Sequence, residues 1–264
     1  MAGARNIFRR LPMIGAVLAC LAVAGCESLR APDLSERKAW KGPYPVRYAG
    51  VPPVIDGKLD DLAWKRAASW TTFYDLRQHG KVVDIGAAYL AWDKENLYFA
   101  MQIKDQDLYV TEKNDDSILC YADVAELFIK PRTDRLDLYE FEFNALNAVW
   151  YIHYISRGGG TDRRFTQPSH SGIRCRAAYE GTLNDWNDVD AGWTVEVAIP
   201  FSTFSRAVPG GPESQNVWKV NVAGFDYSCY RERILGFTSS RKTDKLFDEY
   251  EGYSDIRFEP PEMD

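Results

Sequence analysis

Residues 139–144 read Tyr-Glu-Phe-Glu-Phe-Asn, with a ring at every second position. Successive side chains of an extended strand point to opposite faces. Tyr139, Phe141 and Phe143 therefore share one face, and Glu140, Glu142 and Asn144 share the other. Strand-like runs recur at 82–92, 97–103, 124–130, 148–156, 173–179, 193–199, 217–227 and 254–258, and the ringed run extends over 137–144. Turn signals separate them: Asp93-Lys94-Glu95-Asn96, Lys130-Pro131, Gly158-Gly159-Gly160 and Pro209-Gly210-Gly211-Pro212. One helix is predicted near the start, where Asp60 caps Asp61–Ala68 after an Asp56-Gly57 turn. Many strands and one short N-terminal helix give the fold class: all-β, a two-sheet antiparallel β-sandwich. No internal repeat or low-complexity break divides residues 44–264, which read as one domain.

The first 43 residues have a different character. Arg5, Arg9 and Arg10 precede an apolar run from Leu11 to Ala24, which is short for a membrane span. It ends in Val23-Ala24-Gly25-Cys26, which resembles a bacterial lipobox. That resemblance implies a signal peptide over 1–25, lipidation of Cys26 and a polar tether over 26–43. An ordinary secretory signal is the alternative. Cys20 fits less well, because Leu18 is bulky where a small residue is preferred. Fully extended at ~3.4 Å per residue, the tether would span roughly 55–60 Å. Glu27, rather than Asp, follows the Cys. The expected location is the cell envelope, lipid-anchored at the outer membrane, with the bilayer as a partner.

Charge and residue usage narrow the function classes. Residues 1–25 carry three Arg and no acid, which leaves 29 basic against 38 acidic side chains in the rest, a net charge of −9. An acidic chain of this kind is no nucleic-acid binder, which needs a basic face to displace counterions. Cys120, Cys175 and Cys229 remain, enough for one disulfide and a thiol or for three thiols. His79, His153 and His170 match no zinc spacing, and His153 reads as a strand-face residue. The chain has no GxSxG, P-loop or GxGxxG motif.

Four stretches in order carry a family resemblance: Val54-Ile55-Asp56-Gly57 through Trp64; Asn96-Leu97-Tyr98-Phe99 through Asp105; Asp123-Val124-Ala125-Glu126-Leu127-Phe128; and Gly192-Trp193-Thr194-Val195-Glu196-Val197-Ala198-Ile199-Pro200-Phe201. Spread across residues 51–258, they resemble the family 9 carbohydrate-binding modules and their DOMON-like relatives. The resemblance implies a non-catalytic β-sandwich that binds sugars, often beside glycan-degrading enzymes. Two aromatic rings clamp a terminal sugar in that family. One clamp position here is Cys120, with Tyr121 beside it; the other falls near Phe247 and Tyr250. The family also implies a sugar hydrogen bond for Glu126 and allows structural Ca2+.

The candidate ligand-binding set is Tyr121, Glu126, Glu142, Asn144, Asn147, Trp150, Phe247 and Tyr250. Trp64, Tyr98, Trp193 and Phe225 read as core. Asp105, Asp107, Asp115 and Asp116 supply hard oxygens suited to calcium, though without the EF-hand pattern. Asp123 and Glu126 are three apart and face opposite sides of an ideal strand, so they do not share a ligand. Glu140 and Glu142 stand about 6.5–7 Å apart on one face. That spacing approaches a glycosidase pair, but such carboxyls must flank the scissile bond from opposite sides. No catalytic residue is assigned. The expected function is binding of a polysaccharide or a glycan chain end. A glycoside hydrolase keeping this module is one alternative, although the sandwich uses nearly all of the chain beyond residue 25. A structural or partner-binding envelope lipoprotein is the other.

Overall fold

The computed structural model describes residues 42–261 apart from 79, 158–163, 166–171, 215, 229–233, 241–246 and 248. The segment expected to be a signal peptide (1–25), Cys26, residues 26–41 of the expected tether, Cys229, His79, His170 and the Gly158–Gly160 loop lie outside these residues.

The described strands form two sheets. A ten-stranded sheet contains β1 (Tyr44–Val46), β3 (Phe73–Asp75), β4 (Val82–Val83), β7 (Val124–Lys130), β8 (Leu138–Phe143), β9 (Val149–Tyr154), β10 (Arg164–Phe165), β13 (Val217–Tyr227), β14 (Ile234–Thr238) and β15 (Ser254–Phe258). A five-stranded sheet, in the order β11-β12-β6-β5-β2, contains β2 (Ala68–Trp70), β5 (Gly86–Trp92), β6 (Asn96–Ile103), β11 (Arg174–Glu180) and β12 (Gly192–Pro200). The pairings are antiparallel, as the sequence predicts, with one exception. β1 lies parallel to β15, which closes the sandwich edge against β13.

β13 organises the larger sheet. One edge pairs with β7 from Lys219 to Phe225. The other pairs with β15 over Val217–Val220 and with β14 over Ala223–Tyr227. The inward residues of both sheets make a single apolar core. It includes Leu127, Tyr139, Phe141, Phe143 and Val222 from one sheet and Phe99, Met101, Val195 and Val197 from the other. Alternation therefore sends Glu126, Glu140 and Glu142 outward.

A second apolar layer covers the outside of the small sheet. Trp64 packs there on Tyr89, Ala91, Tyr98 and Ala198. Glu196, fully buried in β12, anchors this layer. It accepts hydrogen bonds from Asp56 N (2.9 Å), Gly57 N (2.8 Å) and Trp64 Nε1 (2.6 Å). Two of the sequence motifs thus meet at one carboxylate. Gly57 has φ 88°, and a Cβ there would come within 2.8 Å of the Ala177 backbone, so only glycine fits.

The helix is shorter than predicted. α1 spans Leu62–Arg66, with Asp61 rather than Asp60 at the N-cap position. The Asp61 carboxylate is taken by Val54 N (3.0 Å) and caps nothing in the helix. Ala67 is extended and Ala68 opens β2, because pairing with β5 there outweighs a further helical turn. A second helical turn, α2, covers Gly211–Ser214. The predicted Asp93–Asn96 turn forms: Asp93 Oδ1 accepts from Glu95 N and Asn96 N, both at 2.7 Å. The described cysteines Cys120 and Cys175 are free thiols.

Candidate functional site

The outer face of the ten-stranded sheet gathers most of the chain's unexplained chemistry. Register places Glu126 of β7 opposite Glu142 of β8, and Trp150 of β9 opposite Glu142 on its other side. Glu140 lies two residues before Glu142 on the same face. One carboxylate oxygen from each of Glu126, Glu140 and Glu142 lies within 4.8 Å of the others. Glu126 is 1% exposed and Glu142 4% exposed, while Glu140 is half-buried. Glu142 Oε2 accepts from Leu119 N (3.2 Å), and Glu140 Oε2 accepts from Tyr154 Oη (2.7 Å).

Crowding sets the electrostatics. Burial, then Glu142 and Glu140, hold the Glu126 carboxyl well above the ordinary range. Burial and Glu140 push Glu142 up to about 8, against the backbone N–H groups of Leu119 and Cys120. The Cys120 thiol is pushed up to about 12 by burial and the three glutamates. It is therefore a neutral neighbour of the cluster, not a nucleophile.

Aromatic rings surround the carboxylates. Trp150 and Phe225 are half-buried and both pack against the cluster of Leu119, Val124 and Ala148. Phe225 and Tyr227 lie 6.3 Å apart, and Tyr227 lies 6.5 Å from Tyr109. The Tyr227 hydroxyl donates to Cys120 O at 2.9 Å. Tyr121, next in the chain, is 69% exposed. The half-buried ring of Phe225, read as core from the sequence, lines this outer face. Tyr109, Tyr227 and Glu140 were not in the candidate set. The Glu140–Glu142 alternation was the signal that pointed to Glu140; nothing local pointed to Tyr109 or Tyr227.

The structure corrects four of the candidate positions. Phe247 is 5% exposed and stacks on Phe128 at 4.9 Å. Tyr250 is 8% exposed, with Lys130 Nζ 4.2 Å and the Arg157 guanidinium 4.0 Å from its ring centre. Both rings therefore pack into the protein and present no open face to a sugar. The segment carrying them folds back over the outer sheet face, onto Phe128, Leu138 and Ala223. Asn144 lies just past β8 and holds the β8–β9 turn. Its Oδ1 accepts from Leu146 N and Ala148 N, and its Nδ2 donates to Glu112 O. Asn147, at φ 67°, accepts from Ala177 N on the other sheet. Neither asparagine joins the carboxylate face.

The calcium candidates also separate. Asp115 accepts from Val149 N, and Asp107 from the Ser228 hydroxyl. Asp116 holds the same loop through its backbone N–H to Val149 O. Asp105 instead meets Asp123 and Asp226, with oxygens within 4.8 Å. Asp105 Oδ2 is buried and makes no hydrogen bond. Asp123 accepts from Tyr109 N and Tyr227 N (2.5 and 2.7 Å), while burial and Asp105 push its carboxyl up to about 10. Oxygens sharing one calcium at about 2.3–2.6 Å lie within about 5 Å of each other. This all-oxygen set fits calcium. Asp123 precedes β7 and turns away from Glu126, as the strand spacing requires.

His153 is buried, stacked on Tyr139 at 4.2 Å and 3.0 Å from Asp137 through Nε2. Burial lowers its imidazole below the ordinary value. It belongs to the inter-strand packing and stands apart from the carboxylate cluster.

Known proteins share this architecture. Residues 55–249 match the carbohydrate family 9 binding domain-like family. The exoglucanase XynX of Acetivibrio thermocellus is 27% identical over 154 residues, which is 58% of this chain and 12% of the enzyme. The chain thus spans a small part of that enzyme, whose activity does not transfer with the match. A Bacteroides uniformis protein provisionally assigned as carbohydrate-binding superposes with a TM-score of 0.64 at 14% identity, over 83% of this chain and 99% of that one. A family 9 module of Caldicellulosiruptor kristjanssonii solved with cellotriose gives 0.52 at 18% identity, over 81% and 92%. The glucose complex gives 0.54 at 16% identity, over 83% and 97%. These structures share the fold. The family consists of non-catalytic carbohydrate-binding modules, and by the match over residues 55–249 this chain belongs to it.

Proposed function

We propose that the protein is a non-catalytic glycan-binding protein, anchored in the cell envelope, whose site is the outer sheet face around Trp150. The observation that carries this reading is the meeting of open ring surface and carboxylates at one place. A pyranose offers a C–H face that stacks on an aromatic ring and a rim of hydroxyls that needs polar partners. Trp150, Phe225, Tyr227 and Tyr121 supply ring surface, and Glu140 supplies a reachable acceptor. Glu126 and Glu142 lie deeper, beneath the reachable surface. Family relatives solved with cellotriose and glucose make gluco-oligosaccharides the first ligands to try.

Calorimetry against a panel of plant and microbial oligosaccharides, cellotriose and glucose among them, tests the reading. Saturable binding is expected. Trp150→Ala should weaken it about tenfold, or ~1.4 kcal/mol, with the thermal transition retained. No binding to any glycan in the panel, with calcium present, overturns the proposal.

Two parts of the reading rest on other residues. An acylated Cys26 would hold the domain to the bilayer at the outer membrane, near glycan-degrading enzymes. Fatty-acid labelling that marks the wild type and not Cys26→Ala supports this; equal labelling refutes it. Asp105, Asp123 and Asp226 would hold calcium as a brace between the β6 end, the entry to β7 and the end of β13.

A further inference from the structure

Burying three carboxylates side by side is costly unless something cancels their charge. Among the described residues, neither Glu126 nor Glu142 takes part in an ion pair, and only glutamates perturb Glu126 electrostatically. The Glu142 carboxyl meets the backbone N–H groups of Leu119 and Cys120, and Glu140 accepts from the Tyr154 hydroxyl. Glu126 is different: it is 1% exposed, it sits inside the cluster, and its Oε2 has no hydrogen-bond partner among the described residues. A buried carboxylate oxygen with no donor is rare in a folded protein and calls for a partner.

The geometry points to a second cation site: we propose that Glu126, Glu140 and Glu142 together bind one hard divalent cation, calcium or manganese, on the outer face of the ten-stranded sheet. Three features favour a metal over a bulkier cation. The oxygens lie within 4.8 Å of one another, inside the roughly 5 Å that separates ligands of one calcium. Glu126 and Glu142 are too deeply buried for an organic ammonium group to reach both. All the donors are hard oxygens, which suit calcium and manganese better than soft metals. The half-buried Glu140 marks the open side, where water would complete the six to eight oxygens that calcium takes. The site is distinct from the Asp105, Asp123 and Asp226 group, with which it shares no residue. It does not depend on glycan binding.

The probe is the metal alone. Chelator-treated protein comprising residues 26–264 is titrated with calcium, then manganese, by calorimetry. In parallel, terbium is bound and its emission excited through tryptophan, because Trp150 stands opposite Glu142 on the neighbouring strand. Glu126→Gln and Glu142→Gln should each bind one equivalent of calcium fewer than the wild type. Sensitised terbium emission should fall by about tenfold in both. Gln keeps the shape and removes charge, so the metal-free variants should melt no lower than the metal-free wild type. Glu140→Gln, at the half-exposed position, is the second variant should either buried change impair folding, and it should show the same loss. Unchanged stoichiometry in all three variants, or no metal bound by the wild type, overturns the site. The second outcome means that the carboxyls are simply protonated.

Discussion

Glu196 shows how much of this fold hangs on one side chain. Its two oxygens satisfy two backbone N–H groups of the Asp56-Gly57 turn and the indole N–H of Trp64, all within 2.9 Å. Leaving a buried donor unsatisfied costs about 1–3 kcal/mol. Glu196→Ala should therefore lower stability by roughly 3 kcal/mol or more, read as a shifted denaturant midpoint. A shift within about 0.5 kcal/mol, the scale of ordinary surface changes, would refute this account. His153 gives a pH dependence of definite sign. Burial lowers its imidazole below the ordinary value of about 6.5, with Asp137 pulling the other way. As pH falls, the unfolded chain takes up this proton before the folded chain does. The contribution is thus complete above about pH 6.5 and is lost as pH drops toward the lowered folded value. On going from pH 7 to pH 5 the wild type should lose melting temperature relative to His153→Gln, whatever the buried carboxyls contribute to both. Equal slopes would show that His153 does not carry the effect.

At the scale of elements, the residues around 247–253 and the strand β9 have separable tasks. Phe247, Tyr250 and Tyr253 cover Phe128 and Leu138, and the Tyr253 hydroxyl donates to Phe247 O. This is packing, so Phe247→Ala should cost about 3–5 kcal/mol, as buried phenylalanines do, while glycan affinity at 10 °C stays within about twofold. Trp150→Ala should do the reverse. A Phe247→Ala protein that is stable but no longer binds sugar would move the site to the C-terminal segment. The helix teaches a related lesson. α1 is only five residues long and has no side-chain cap, so its own hydrogen bonds cannot hold it in water. Trp64, pinned by Glu196 and packed on Tyr89 and Tyr98, holds it instead.

At the scale of the whole molecule, two carboxylate clusters sit at the ten-stranded sheet among the described residues, one where Asp123 enters β7 and one on the outer face of β7 and β8. A cation that binds only the folded state stabilises it by mass action, about 2.7 kcal/mol at a hundredfold excess over Kd. The calcium-loaded protein should melt above the chelator-treated protein, with a gap that grows with free calcium. An unchanged melting temperature would remove the calcium brace. The same arrangement explains why the family motifs lie so far apart in the chain. Asp56-Gly57 and Glu196 meet on one sheet, and Asp105, Asp123 and Asp226 meet at one end of the other. Each motif is half of a contact.

Although the run 82–92 divides into β4 and β5 on different sheets, the alternation of residues 139–144 and its repeats determined, by themselves, the all-β class, most of the longer strands and the face that each of their side chains occupies. That information is local: neighbours in a strand alternate whatever the strand pairs with. The short strands β1, β2, β3 and β14 carry too little pattern to be seen this way, because pairing partners define them. Register is not local either. Only the tertiary structure put Glu126 opposite Glu142, brought Asp226 to Asp105, and folded Phe247 and Tyr250 onto Phe128 instead of leaving them open for a sugar. Those choices minimise exposed apolar area over the whole sandwich, a sum in which no single segment can read its own part.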